Sequence, residues 1–146
     1  MNGVTKLVKD QYGNYVVQHV LEHSKPKYKI LIVRQFKGLV VPLSTHKFAS
    51  NVIERCYKNG GKKERQDIVD EITGKTTEKT SPIFDMMNDQ YANYVVQKII
   101  ELSDENQRNS IIDTIKANLG LVKKLTYGKH IVMCCEKYTN KPLEKL

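Results

Sequence analysis

The 146-residue chain has no tryptophan, three phenylalanines, three cysteines and four prolines, and no apolar run long enough to cross a bilayer. The cysteines are Cys56, Cys134 and Cys135. Three is an odd number and no Cys-x-x-Cys pair occurs, which speaks against a disulfide framework and against a zinc module. His130 and Cys134 are four residues apart and share a helix face, but two such residues without further ligands do not make a metal site. No nucleophile–base pair, carboxylate dyad or phosphate-binding loop stands out. The expectation is a protein without catalytic role, metal or cofactor. Residues Met1 to Thr5 lack the basic, apolar and small-residue layout of a secretory leader, so the cytoplasm is the expected compartment and no membrane partner is expected.

Basic residues are abundant. Lys and Arg number 24 against 16 Asp and Glu, a net charge of +8. That balance fits a polyanionic partner. The eight tyrosines are the main aromatic resource.

A repeat runs through the chain. Residues 10–18 are DQYGNYVVQ and residues 89–97 are DQYANYVVQ, differing only at Gly13 against Ala92. Residues 46–54, HKFASNVIE, keep the aromatic, the small residue and the valine, and residues 127–133, YGKHIVM, form a weaker fourth copy. Asn14, Ser50, Asn93 and Lys129 correspond, at intervals of 36, 43 and 36 residues. A period near 36 belongs to helical solenoids. The longer middle interval is explained by a polar, Thr- and Lys-rich insertion at 74–82 that ends in Pro82. The segments are then a partial repeat at 1–24, repeats at 25–60 and 61–102, a terminal pseudo-repeat at 103–140 and a tail at 141–146, with fraying expected from Thr139 onward.

Apolar spacing predicts helices between the motifs. Tyr28, Leu31, Ile32, Phe36 and Leu39 follow i, i+3, i+4, as do Ile68, Val69 and Ile72, and Ile111, Ile112, Ile115 and Leu119. Pro26 suits a first turn, Asp104 with Gln107 forms a capping box, and Gly38, Gly74 and Gly120 stand where helices stop. The motif segments are helical as well. Val16, Val17, Val20 and Leu21 form an apolar side, repeated as Val95, Val96, Ile99 and Ile100. Each repeat is a long helix, a short helical turn after glycine, and a second long helix carrying the motif.

Asn14, Tyr15 and Gln18 lie at i, i+1 and i+4, so they share the polar side of their helix. Asn93, Tyr94 and Gln97 repeat the trio, and Ser50, Asn51 and Glu54 vary it. Polar helix residues are commonly solvated or capping. Here the trio recurs and spends a tyrosine on the polar side. A ladder of amides and aromatics at fixed rise suits unstacked nucleobases, each with a flat face and a polar edge.

These motifs, in this order and spacing over almost the whole chain, resemble the last repeats of a Pumilio (PUF) homology domain. The resemblance implies an all-α, right-handed α-solenoid of three-helix repeats, here a partial crescent. It implies that single-stranded RNA lies on the concave face, antiparallel to the protein, with one base per repeat. It also implies the roles. Asn14 with Gln18, Ser50 with Glu54, and Asn93 with Gln97 meet base edges, while Tyr15, Asn51 and Tyr94 stack between bases. His19, Arg55 and Lys98, just after the fifth position, are placed to approach the RNA backbone or a base face, and Lys129 and His130 to touch the 5′ end. Glu22 and Glu101 are expected to pair with nearby cations. In the fourth copy Met133 has no group that reads a base edge, and the resemblance implies a cap.

Donor–acceptor chemistry agrees with those roles. Gln offers the donor and acceptor that uracil needs, whereas an ionised Glu accepts the two adjacent donors of guanine. The expected target is 5′-UGU-3′ in mRNA 3′ untranslated regions, with deadenylase or translational-repressor proteins as partners. Alternatives within the same architecture are a peptide-binding scaffold of the armadillo or HEAT kind and a ribosome-biogenesis relative with relaxed RNA preference.

Overall fold

A computed structural model describes residues 2–74 and 81–143. Among them the backbone forms helices and no strand. In chain order they are α1 (Asn2–Lys9), α2 (Gly13–His23), α3 (Pro26–Arg34), α4 (Val40–Ser44), α5 (Ala49–Asn59), α6 (Lys62–Thr73), α7 (Ile83–Met86), α8 (Ala92–Leu102), α9 (Glu105–Lys116), α10 (Leu119–Val122) and α11 (Gly128–Thr139). The unit long–short–long recurs as α3–α4–α5, α6–α7–α8 and α9–α10–α11. The four motif helices form one row, α2 on α5, α5 on α8 and α8 on α11, while α3, α6 and α9 form a second row. This is the all-α solenoid expected from the period.

Apolar side chains cement the rows. Val52, Ile53, Cys56 and Tyr57 of α5 and Val95, Val96, Ile99 and Ile100 of α8 are buried. Each aliphatic side chain so enclosed contributes about 1.5–3 kcal/mol of transfer free energy. Of the aliphatic side chains of α2 only Val17 and Leu21 are buried. Val16, 57% exposed, and Val20 stand where Val95 and Ile99 stand in α8, but among the described residues no preceding helix of the motif row covers them.

Local chemistry sets the helix ends. Pro26 occupies the first turn of α3, and Asp104 and Gln107 make the capping box of α9. Gly74 closes α6 with φ +75°, a conformation that a side chain would strain. Of the expected insertion at 74–82, residues 75–80 lie outside the described residues.

Three expectations are corrected. The helix expected to continue through Phe36 and Leu39 ends at Arg34. The Glu71 carboxylate on α6 takes the amides of Gly38 at 2.7 Å and Val40 at 2.8 Å, so the chain turns there and α4 begins. Gly120 does not stop a helix: the one expected to reach Leu119 ends at Lys116, and Gly120 lies inside α10. In the described part of the tail expected to fray, residues 139–143, the chain stays packed: Leu143 is buried, and its amide donates to Glu136 Oε2 at 3.3 Å. Residues 144–146 lie outside the described residues.

Candidate nucleic-acid interface

Three of the four motif helices, α2, α5 and α8, start from a shared device. Asp10 Oδ2 accepts from the amides of Tyr12 at 2.9 Å and Gly13 at 2.7 Å, and Asp89 Oδ2 accepts from those of Tyr91 at 2.8 Å and Ala92 at 2.7 Å. In the middle copy His46 does the same work. Its Nδ1 accepts from Phe48 N at 3.1 Å and Ala49 N at 3.3 Å. These anchors fix the first turn, and with it the direction in which the trio points. At the fourth copy Gly128 is demanded by a close approach, since a Cβ there would lie 1.8 Å from the Val122 carbonyl oxygen.

The trio divides into three kinds of side chain. Tyr15 and Tyr94 are 63% and 60% exposed, and Asn51 and His130 are exposed with them. Gln18, Glu54 and Gln97 are half-buried. Asn14, Ser50 and Asn93 are buried and bonded inward. Asn14 Nδ2 donates to the carbonyls of Asp10 at 2.9 Å and Gln11 at 3.1 Å, and Asn93 Nδ2 to that of Asp89 at 2.8 Å. Their Oδ1 atoms accept from Gln18 Nε2 at 2.8 Å and Gln97 Nε2 at 3.1 Å. Ser50 Oγ donates to Lys47 O at 3.2 Å. The first position, expected at a base edge, thus also orients the fifth. That work was hidden in the sequence because an amide four residues before another is compatible with either orientation.

Two open grooves separate the motif helices. One, of about 440 Å³, is lined by Gln18, Asn51, Glu54, Arg55, Lys58 and Lys98 among others. The next, of about 490 Å³, is lined by Glu54, Tyr94, Gln97, Lys98, His130 and Met133 among others. The fifth-position side chains therefore share the grooves with cations from the next helix. Glu22 pairs with Arg55 at 3.3 Å and Lys58 at 3.7 Å, and Glu101 with Lys98 at 3.0 Å, as expected of these acids. His19 is exposed and its ring lies 4.4 Å from that of His23. Lys129 is exposed at the start of α11.

Burial holds the Glu54 carboxyl above the usual glutamate range, against the pull of Lys98 and Arg55. Desolvation would raise Glu22 too, but Asn59, Lys58, Arg55 and Lys29 together bring it below its ordinary value. Burial pushes the thiols of Cys56 and Cys135 far up, so neither forms a thiolate near neutrality. Among the described residues no group of three His, Cys, Asp or Glu side chains could hold a metal ion.

One structural feature that braces the motif row escaped the sequence reading. Lys29, Arg65 and Arg108 lie on α3, α6 and α9 at the same intervals, 36 and 43 residues, as the motif itself. Arg65 and Arg108 bond the carbonyls that end the preceding motif helices, and Lys29 Nζ lies 3.4 Å from Glu22 O. The shared interval was the available signal.

With that geometry in place, the comparisons with known proteins converge. The model of the Pumilio-family RNA binding repeat matches residues 4–35, 40–73 and 82–116, cutting each repeat at its short helix. The chain is 46% identical over 137 residues to Pumilio homolog 4 of Arabidopsis thaliana, covering 94% of this chain and 14% of that protein. It is 41% identical over 140 residues to the mRNA-binding protein puf3 of Schizosaccharomyces pombe, covering 96% and 19%. The chain thus spans under a fifth of the curated relatives it matches here. Its fold superposes on PUF-8 in complex with PBE-RNA with a TM-score of 0.83 at 36% identity, over 92% of this chain and 39% of that one. It also superposes on the Puf3 RNA binding domain bound to a Cox17 RNA 3′ UTR recognition sequence, with a TM-score of 0.78 at 25% identity, over 93% and 36%.

Proposed function

Because the chain belongs to the Pumilio family of RNA-binding repeat proteins, we propose that its motif face binds single-stranded RNA and selects 5′-UGU-3′. The observation that carries this is the ladder itself. Exposed Tyr15, Asn51 and Tyr94 alternate along one face with half-buried Gln18, Glu54 and Gln97. An exposed ring offers a stacking platform whose flat contact any base can use. The half-buried polar group beside it meets one base edge. Gln97 takes the 5′ uracil, Glu54 the guanine through N1–H and N2–H₂, and Gln18 the 3′ uracil. The cations Arg55, Lys58, Lys98, Lys129 and Lys137 supply the field that draws in a phosphate chain. Met133 and His130 close the 5′ end.

An RNA-bound Puf3 domain on a 3′ UTR sequence and an mRNA-binding puf3 relative support placing the target in mRNA 3′ untranslated regions. Post-transcriptional repression through deadenylase or translational-repressor partners, in the cytoplasm, completes the reading. The test is equilibrium binding to short RNAs that carry UGU or UAU. Adenine offers Glu54 no N1–H, so the change should cost ~1–3 kcal/mol, the size of one mismatched base in nucleic-acid readout. Equal affinity for the two RNAs would sink the assignment.

A further inference from the structure

Gln18 and Gln97 hold the same place in two copies of one motif, yet their surroundings differ. Both donate Nε2–H to the asparagine one turn earlier. Gln18 is also engaged from the neighbouring motif helix, where Arg55 Nε on α5 donates to its Oε1 at 3.4 Å. The equivalent of Arg55 in the next copy is Lys98, which shares both grooves with Glu54. The equivalent after that is Cys134, whose thiol lies 3.7 Å from the backbone carbonyl of Gln97. The residue after each fifth position thus lies beside the fifth position of the preceding copy.

An amide can present its oxygen and nitrogen in two orders, and its neighbours decide between them. Asn14 spends its Nδ2 hydrogens on the carbonyls of Asp10 and Gln11, so its Oδ1 must face Gln18 and accept. Gln18 Nε2 therefore turns to Asn14 and Oε1 turns to Arg55. The reverse order would set Nε2 against the guanidinium and oxygen against oxygen at Asn14. One hydrogen and one lone pair of the Gln18 amide remain, in fixed order. Uracil shows an acceptor, O4, beside the donor N3–H. Cytosine shows the reverse, N4–H₂ beside the acceptor N3. In a pose that sets the free Oε1 lone pair at ring position 3 and the free Nε2 hydrogen at the group on C4, a locked amide suits uracil and a flipped one suits cytosine.

We propose that Arg55 is a positioning residue for the neighbouring copy: it locks the Gln18 amide and so enforces uracil over cytosine at the base read by α2. The guanidinium is itself tied to α2 a second time, through Nη1 to Glu22 Oε1 at 3.3 Å. Arg55 therefore grips α2 at two points one turn apart. Base discrimination is then shared between adjacent copies, and Gln97, with a thiol in place of the guanidinium, separates uracil from cytosine less sharply. The proposal rests on the U–G–U reading, and it deepens that reading at one site.

The experiment compares the parent chain with Arg55→Met and Arg55→Lys on two RNA pairs. One pair differs by U or C at the base facing α2, the other at the base facing α8. Arg55→Met is expected to lower the U-over-C preference at the α2 base by about five- to tenfold, the weight of one hydrogen bond. Arg55→Lys should restore part of it, and the α8 base should be unaffected. An equal loss on all RNAs would make Arg55 a phosphate contact and overturn the proposal, as would an unchanged preference. A second measurement needs no RNA. In the free protein the Gln18 side-chain amide resonances should move towards free-glutamine values in Arg55→Met while those of Gln97 stay. Unmoved Gln18 resonances would overturn the lock. A parent that binds without base preference would overturn the U–G–U reading instead.

Discussion

Arg65 on α6 donates through Nη1 to the carbonyl of Leu102, the last residue of α8, at 3.0 Å. The same guanidinium holds Tyr57 O through Nε at 2.8 Å and Lys58 O through Nη2 at 2.9 Å. One planar fork thus ties the C-terminal ends of two adjacent motif helices, where a helix leaves its carbonyls without internal partners. It also lies over the Tyr57 ring, 5.2 Å from the centroid. Tyr57 in turn hydrogen-bonds Ser103 and Gln107, so the joint between copies is closed on both sides.

Arg65→Met should therefore destabilise the fold by ~1–3 kcal/mol, because carbonyls in partly buried surroundings lose their donors. Arg65→Lys should recover only part, since an ammonium cannot reach three carbonyls in one plane. Urea denaturation of the three proteins measures this. A midpoint unchanged in Arg65→Met would show that water replaces the guanidinium without loss.

His46 makes the middle motif sensitive to acid. Its Nδ1 accepts two backbone amides and so must be unprotonated, and burial together with the charge of Lys9 holds its pKa below the ordinary histidine value. For a depressed pKa the unfolded chain takes the proton first. The cap's contribution is present above the unfolded pKa and is lost as pH falls through the folded one. His46→Asp, which restores the carboxylate of the other two copies, should remove this sensitivity and add ~0.5–2 kcal/mol at acid pH. Thermal melting of both proteins at about pH 5 and about pH 8, either side of the histidine range, reads the difference.

Glu54 titrates with the opposite consequence for stability. Burial raises its pKa, so the folded protein holds the proton more tightly than the unfolded chain. Between the ordinary and the raised value, stability falls as pH rises. Under the proposed reading, guanine binding should run the other way, because only the carboxylate accepts both N1–H and N2–H₂. Affinity for a UGU RNA should drop as pH falls through the raised pKa, at a pH above that of an ordinary glutamate. Binding titrations from about pH 7 to about pH 5 for the parent and Glu54→Gln test this, and the variant should lose the slope. A parent whose affinity is flat over that range would show that the carboxylate does not meet guanine.

The tyrosines should behave as platforms rather than readers. Tyr15→Ala and Tyr94→Ala should each lose ~1–3 kcal/mol of RNA affinity with base preference intact, since stacking uses a face that every base has. Both side chains are exposed, so melting temperature should barely move. A changed base preference at unchanged affinity would assign them another role.

The sequence by itself determined the repeat, the helices and the membership of the trio. An apolar period of 3.6 and motif intervals of 36 and 43 residues are written in one dimension, and so are Pro26, Gly74 and the Asp104–Gln107 box. What it left open depended on neighbours. The Val16–Val20 side of α2 has the same pattern as Val95–Ile99 of α8, yet only the latter is covered, because burial belongs to the packed pair and not to the helix. Leu143 reads as tail until the end of α11 offers it a surface. The inward bonds of Asn14 and Asn93 turn on which carbonyls lie within 3.1 Å, and the grip of Arg55 on Gln18 joins residues 37 apart in sequence. Local spacing fixes which side chains share a face, but only the packing of one motif helix against the next decides which of their atoms stay free for a ligand.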